Sequence, residues 1–201
     1  MEQSSMEAGK FSYHYEDPLC LIKVENAVRT MLNSFRIDDY MSLVYLCIGT
    51  DRATGDCLGP LVGTRLKILL PSAKIFGTLD EPAHAANLDR VLESLEQTCS
   101  NPLVIAIDAS LGNADRIGFI NINKGCLKPG TALKKVLPEV GHFHISGVVN
   151  VGGYLEYMVL QNTRLNTVYR MADIIARAIF MAHLRFIEPE GISRDVLLNG
   201  C

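Results

Sequence analysis

Two acidic motifs carry most of the chemistry this sequence offers. Gly49-Thr-Asp-Arg-Ala-Thr-Gly-Asp56-Cys-Leu-Gly-Pro60 follows one apolar run, and Leu103-Val-Ile-Ala-Ile-Asp108-Ala-Ser closes another. Carboxylates held together at neighbouring strand ends cannot both ionise cheaply. They either share a proton as an acid/base pair or recruit a cation. Asp56 and Asp108 are the candidate catalytic residues. Each also has a plain structural reading, because Asp is a preferred helix cap and turn former.

Other residues of the right type lie further along. His142 and His144 have i, i+2 spacing, which on a strand puts both on one face, and one further carboxylate would complete a metal site. The candidate metal ligands are thus Asp56, Asp108, His142 and His144; the alternative for the histidines is surface strand residues or satisfied hydrogen-bonding groups. His84, after Asp80-Glu-Pro, reads as a loop residue, and Asp51 and Arg52 read as rim residues that can pair on the surface. No strand is followed by G-x-G-x-x-G or G-x-x-x-x-G-K-[ST], which argues against a nucleotide fold. No G-x-S-x-G elbow occurs, and neither Cys57 nor Ser146 has a clear catalytic partner. The acidic loop around Cys57 also disfavours its thiolate.

The elements that must position these groups follow from periodicity. Leu21, Val24, Ala27, Val28, Met31, Leu32 and Phe35 form a helical stripe. Leu43 to Ile48 is continuously apolar, as in a central parallel strand buried on both faces. From Asp56 to Leu70 helical spacing returns, with Gly59-Pro60 in the first turn, where a missing N–H costs little. Lys74 to Leu79 suits a second strand, Leu88 to Cys99 a helix, and Leu103 to Ile107 a third strand. This alternation predicts a doubly wound α/β sheet. If the first and third of these strands are neighbours, the switch-point crevice lies between them, with Asp56 and Asp108 facing it. Ile117 to Asn123 is expected as an antiparallel strand, Lys124 to Lys135 as a mobile flap, and His142 to Ser146 as a short strand. Tyr154 to Leu160 and Thr167 to Phe186 complete the helices. Residues 1–19 lack periodicity and are expected to form a flexible arm before a single domain over 20–201.

Composition bounds the partners. In 201 residues, 19 Lys plus Arg nearly balance 22 Asp plus Glu, so no overall field argues for nucleic acid or an anionic membrane surface. Six scattered cysteines without a C-x-x-C pair read as reduced and intracellular. The polar, acidic N-terminus and the lack of an uncharged apolar run of about 18 residues argue for a soluble protein without a signal peptide.

The motifs Cys47-Ile-Gly-Thr, Asp56-Cys-Leu-Gly-Pro60 and Val104-Ile-Ala-Ile-Asp108-Ala resemble those of the spore germination protease, whose second strand motif ends Ile-Asp-Ala. The chain looks most like the shorter YyaC-like sporulation proteins of that superfamily, and its spacing is similar to that of the hydrogenase maturation endopeptidases. The resemblance covers roughly residues 41 to 160. It implies a three-layer α/β/α sandwich with a mostly parallel sheet, and an aspartate-dependent endopeptidase in which Asp56 and Asp108 are the acidic pair. Asp80 matches by position only, while Thr50 stands where the relatives have asparagine. Thr50, Asp51, Asp80 and His144 are the candidate substrate-binding residues. The aspartate-pair reading requires no cofactor, with a divalent metal as the alternative. The implied partner is a protein or peptide substrate, in the cytoplasm of the developing spore or mother cell; self-association is left open. The competing reading is a non-catalytic peptide- or metal-binding assembly protein that keeps the fold.

Overall fold

The computed structural model describes residues 9–35, 42–129 and 137–187. In chain order the elements are β1 (Lys10–His14), α1 (Cys20–Asn33), β2 (Ser42–Cys47), α2 (Leu58–Leu69), β3 (Lys74–Phe76) and α3 (Leu88–Thr98). They continue with β4 (Pro102–Gly112), β5 (Phe119–Lys124), β6 (Phe143–Val151), α4 (Glu156–Gln161) and α5 (Leu165–Ile187). The six strands form one sheet in the order β1-β5-β6-β4-β2-β3. Strands β3, β2, β4 and β6 are mutually parallel, while β5 runs antiparallel to both of its neighbours. The result is an α/β sandwich with a mostly parallel, doubly wound sheet. The order β3-β2-β4 places a switch point between β2 and β4, the expected crevice position.

Side chains alternate across the strands, so each strand feeds two cores. Tyr45, Cys47, Leu103, Ile105, Ile107, Phe143 and Ile145 point to one face, where they pack with buried residues of α1, α2 and α5. Val44, Leu46, Val104 and Ala106 point to the other, where Val91, Leu92 and Leu95 of α3 cover them. Among the described residues, α3 is the helix that packs on this second face, and its apolar cover stops short of β6. No helix among the described residues is long and apolar enough to cross a membrane.

Three expectations need correction, and a fourth is only partly described. Of the arm expected over 1–19, residues 1–8 lie outside the described residues, and residues 10–14 form an edge strand paired antiparallel with β5; Phe11 and Tyr13 pack against the core, and the five-residue alternation was too short to read as a strand. The strand expected over 74–79 ends at Phe76, because Gly77 takes φ +84° and turns the chain. Asp108 does not close its strand: β4 runs on to Gly112, held by pairing with a nine-residue β6 rather than one ending at Ser146. Of the expected flap, residues 130–135 lie outside the described residues, whereas Leu127 is bridged to Val140.

Candidate active site

The first motif is folded by close backbone contacts. Gly49 takes φ +136°, and a Cβ there would run into the Asp56 carbonyl. The Thr50 N–H donates to that carbonyl at 3.1 Å, and the Asp56 N–H donates to the Ala53 carbonyl at 3.0 Å. The loop closes into the 3-10 turn Gly55–Cys57 and then α2. Gly59, in the first turn of α2, lies against Ile48, where a Cβ would collide with the Ile48 carbonyl. The motif glycines thus let the helix start press onto the end of β2, which fixes Asp56 just beyond that strand.

Asp108 is positioned by the pleat instead. It shares a face with Ala106 and lies opposite Ser146 of β6 in register, 8% exposed. The Ala109 N–H donates to its Oδ1 at 2.8 Å. Neither aspartate serves as a helix cap: Asp108 lies within a strand, and the turns after β2 have no side-chain cap bond.

The two carboxyls feel each other. Burial pushes Asp108 well above the usual carboxylate range, the Asp56 charge pushes it further, and the Ala109 N–H opposes both. Asp56 is also raised, mainly by burial, but the Thr50 N–H and the His84 ring pull it back. Asp108 is therefore the carboxyl that keeps a proton, and Asp56 the one that loses it first.

Both line a cleft of about 440 Å³ beyond the carboxyl end of β2 and along the last part of β4. Its walls come from the Gly49–Ala53 loop, His84 to Ala86, Asp108 to Leu111, Leu127 to Pro129, and Glu156, Tyr157 and Leu160 of α4. Thr50 lines the cleft, and so does Arg52, expected only at the rim. Asp51 and Asp80 are exposed outside its wall.

His142 and His144 do not join the aspartates. Their spacing suggested one shared strand face, but β6 begins at Phe143, so His142 precedes the strand. The Val104 N–H donates to His142 Nδ1 at 3.0 Å. His144 Nδ1 is 3.0 Å from the Gly125 carbonyl, and its Nε2 is 3.3 Å from Asn123 Nδ2. Neither histidine lines the cleft. A metal would need a third ligand, and among the described residues no group of three or more His, Cys, Asp and Glu could hold one. The donor set does not fit the metal alternative.

The histidine that does reach the site is His84. Its loop is stapled by Asn87, whose Oδ1 accepts the His84 N–H at 2.8 Å while its Nδ2 donates to the Pro82 carbonyl at 2.9 Å. The ring Nδ1 accepts the Ala86 N–H at 3.2 Å. In the sequence His84 reads as a loop residue; the Ile48–Ala83 bridge and the Gly49 N–H donating to the Ala83 carbonyl at 2.8 Å bring its loop to Asp56. Glu156 and Tyr157 were missed for the same reason: nothing local to them points at the cleft. Cys57 behaves as expected, its thiol pushed up by burial and then by Asp56 and Asp51.

Comparison with known proteins places the chain. A solved [NiFe] hydrogenase maturation protease, HycI from Thermococcus kodakarensis KOD1, aligns at 18% identity with 71% of this chain and 95% of its own, with a TM-score of 0.41. The uncharacterized protein YyaC of Bacillus subtilis (strain 168) is 50% identical over 138 residues, 68% of this chain and 67% of the relative. The family described as "Protein of unknown function (DUF1256)" matches residues 12–178, which includes the loop of Asp56, the strand of Asp108 and every wall of their cleft, and the chain belongs to that family.

Proposed function

We propose that the protein is an endopeptidase that hydrolyses a peptide bond of a protein substrate with Asp56 and Asp108, and that it acts during sporulation in the cytoplasm of the mother cell or developing spore. The observation that carries the reading is the placement of two carboxyls, Asp108 buried and Asp56 half-buried, in one cleft where the charge of Asp56 acts on Asp108. Asp56, as carboxylate, takes a proton from water while the water oxygen attacks the carbonyl carbon. Asp108, as the neutral acid, donates a hydrogen bond to the carbonyl oxygen as negative charge develops there. When the C–N bond breaks, Asp56 passes its proton to the leaving amine and returns to carboxylate. No step runs through a metal. The sporulation role is supported by the motif resemblance.

The test is exposure of sporulation-stage protein extracts to the wild type and to Asp56→Asn and Asp108→Asn, followed by mass spectrometry of new chain termini. Discrete termini made only by the wild type are expected. Equal cleavage by all three proteins, or none by a folded wild type, would overturn the reading and favour the non-catalytic peptide-binding protein.

A further inference from the structure

His84 belongs to two clefts. Besides facing the aspartates, it lines a second depression of about 570 Å³ along the outer edge of β3. Strand β3 is the last in the sheet, so among the described residues its far edge has no partner strand. The wall of the depression includes Ile75 to Thr78 of β3 and its exit. Lys67 of α2 flanks it from one face of the sheet and Arg90 of α3 from the other.

An unpaired edge bounded by helices on both faces is shaped for one extended chain, because main-chain groups of a guest strand can pair with it. Charge selects the guest. Lys67 and Arg90 are both exposed, neither is ion-paired among the described residues, and Glu81 is the one carboxylate lining the depression. Lys74 on β3 adds a third exposed cation. A second copy of this edge would bring like charges together, which disfavours self-pairing. Successive side chains of an added strand point to opposite faces. Neighbouring acidic residues of a guest would therefore meet Lys67 on one side and Arg90 on the other.

We propose that the β3 edge is the substrate-strand site: an extended, acidic segment of the protein substrate adds beside β3 and continues past His84 to lay its scissile bond over Asp56 and Asp108. The purpose of this site rests on the peptidase reading, while its occupancy does not.

The test titrates the full-length, isotopically labelled protein with an N-acetylated, C-amidated ten-residue peptide repeating Glu-Glu-Val-Val, which presents Glu on both faces of a strand, and follows backbone amide signals by NMR. Signals of Ile75 to Thr78 and of the His84 loop should move, and Lys67→Glu/Arg90→Glu should weaken binding at least tenfold. A Lys/Val peptide of equal length should not bind. Shifts confined to α4 and the preceding Tyr154, or an unchanged Kd in the double variant, would overturn the proposal, as would dimerisation through β3 that excludes the peptide. Binding is read here without turnover. A bound but uncut substrate would thus count against the peptidase reading alone, and a substrate cut without any disturbance of β3 would count against this site alone.

Discussion

The two faces of the central sheet are built for opposite ends. Against α1, α2 and α5, strands β2, β4 and β6 present Tyr45, Cys47, Ile105, Ile107, Phe143 and Ile145, none measurably exposed. Across the same strands, apolar cover by α3 ends at Ala106, and the next residues on that face are Asp108, Ser146 and His144. Adjacent residues of one strand, Ile107 and Asp108, therefore serve the core and the candidate chemistry. Burial on the first face stabilises the fold. On the second, burial keeps a carboxyl protonated and costs stability.

This contrast predicts a separation of effects. Asp56→Asn and Asp108→Asn should each lower turnover by about 10²–10⁴-fold, measured as initial rates on a substrate identified from its new termini, with folding retained. Phe143→Ala, on the core face, should do the reverse: a loss of about 3–5 kcal/mol in denaturant unfolding, with the residual folded protein keeping its activity per molecule. If Phe143→Ala instead abolished activity at full stability, the division between the faces would be wrong.

A smaller effect sharpens the comparison. The folded state holds the proton of Asp108 more tightly than the unfolded chain does, so this group's stabilisation is complete below the ordinary aspartate pKa of about 3.9 and is lost as pH rises through its raised folded value. Asp108→Asn should remove that loss and stabilise the protein at neutral pH by about 0.5–2 kcal/mol, seen as a higher urea midpoint. An Asn variant less stable than wild type at pH 7 would show that Asp108 is structural.

The core face has its own polar exception. Tyr45 Oη and His183 Nδ1 are paired at 2.8 Å deep within it. Burial lowers the His183 pKa, so the folded state takes up fewer protons than the unfolded chain. Its stabilisation is present above about pH 6.5 and fades as pH falls through the lowered folded value. Tyr45→Phe should cost about 1–3 kcal/mol by leaving the ring nitrogen unpartnered. His183→Gln should flatten the decline of the urea midpoint between pH 7 and 5; an undiminished decline would assign it to other groups.

Much of this arrangement was legible in the sequence because it is local. The apolar runs at 43–48 and 103–107 and the stripe from Leu21 each declare their element, and strand order followed from assuming that β2 and β4 are neighbours, which they are. Asp56 was legible because the glycines around it have to let backbones approach. The edge strand β1 was not, since its pairing with β5 lies about a hundred residues away. The histidines divide: His142 and His144 have a suggestive spacing, yet their ring nitrogens are taken by Val104, Gly125 and Asn123, as the satisfied hydrogen-bonding reading has it, whereas His84 has no such spacing and is carried to Asp56 by the bridge of Ala83 to Ile48 and by the Gly49 N–H donating to the Ala83 carbonyl.

The central claim is that Asp56 and Asp108 behave as one unequal, coupled pair. Titrating the side-chain carboxyl carbons by NMR in the wild type and in Asp56→Asn tests it most directly. The account predicts that Asp108 titrates well above ordinary aspartates, above Asp56, and that Asp56→Asn lowers the Asp108 midpoint by removing a neighbouring negative charge. If Asp108 titrates in the ordinary range, or its midpoint does not respond to Asp56→Asn, the two carboxyls are not a pair and the proposed chemistry has no basis.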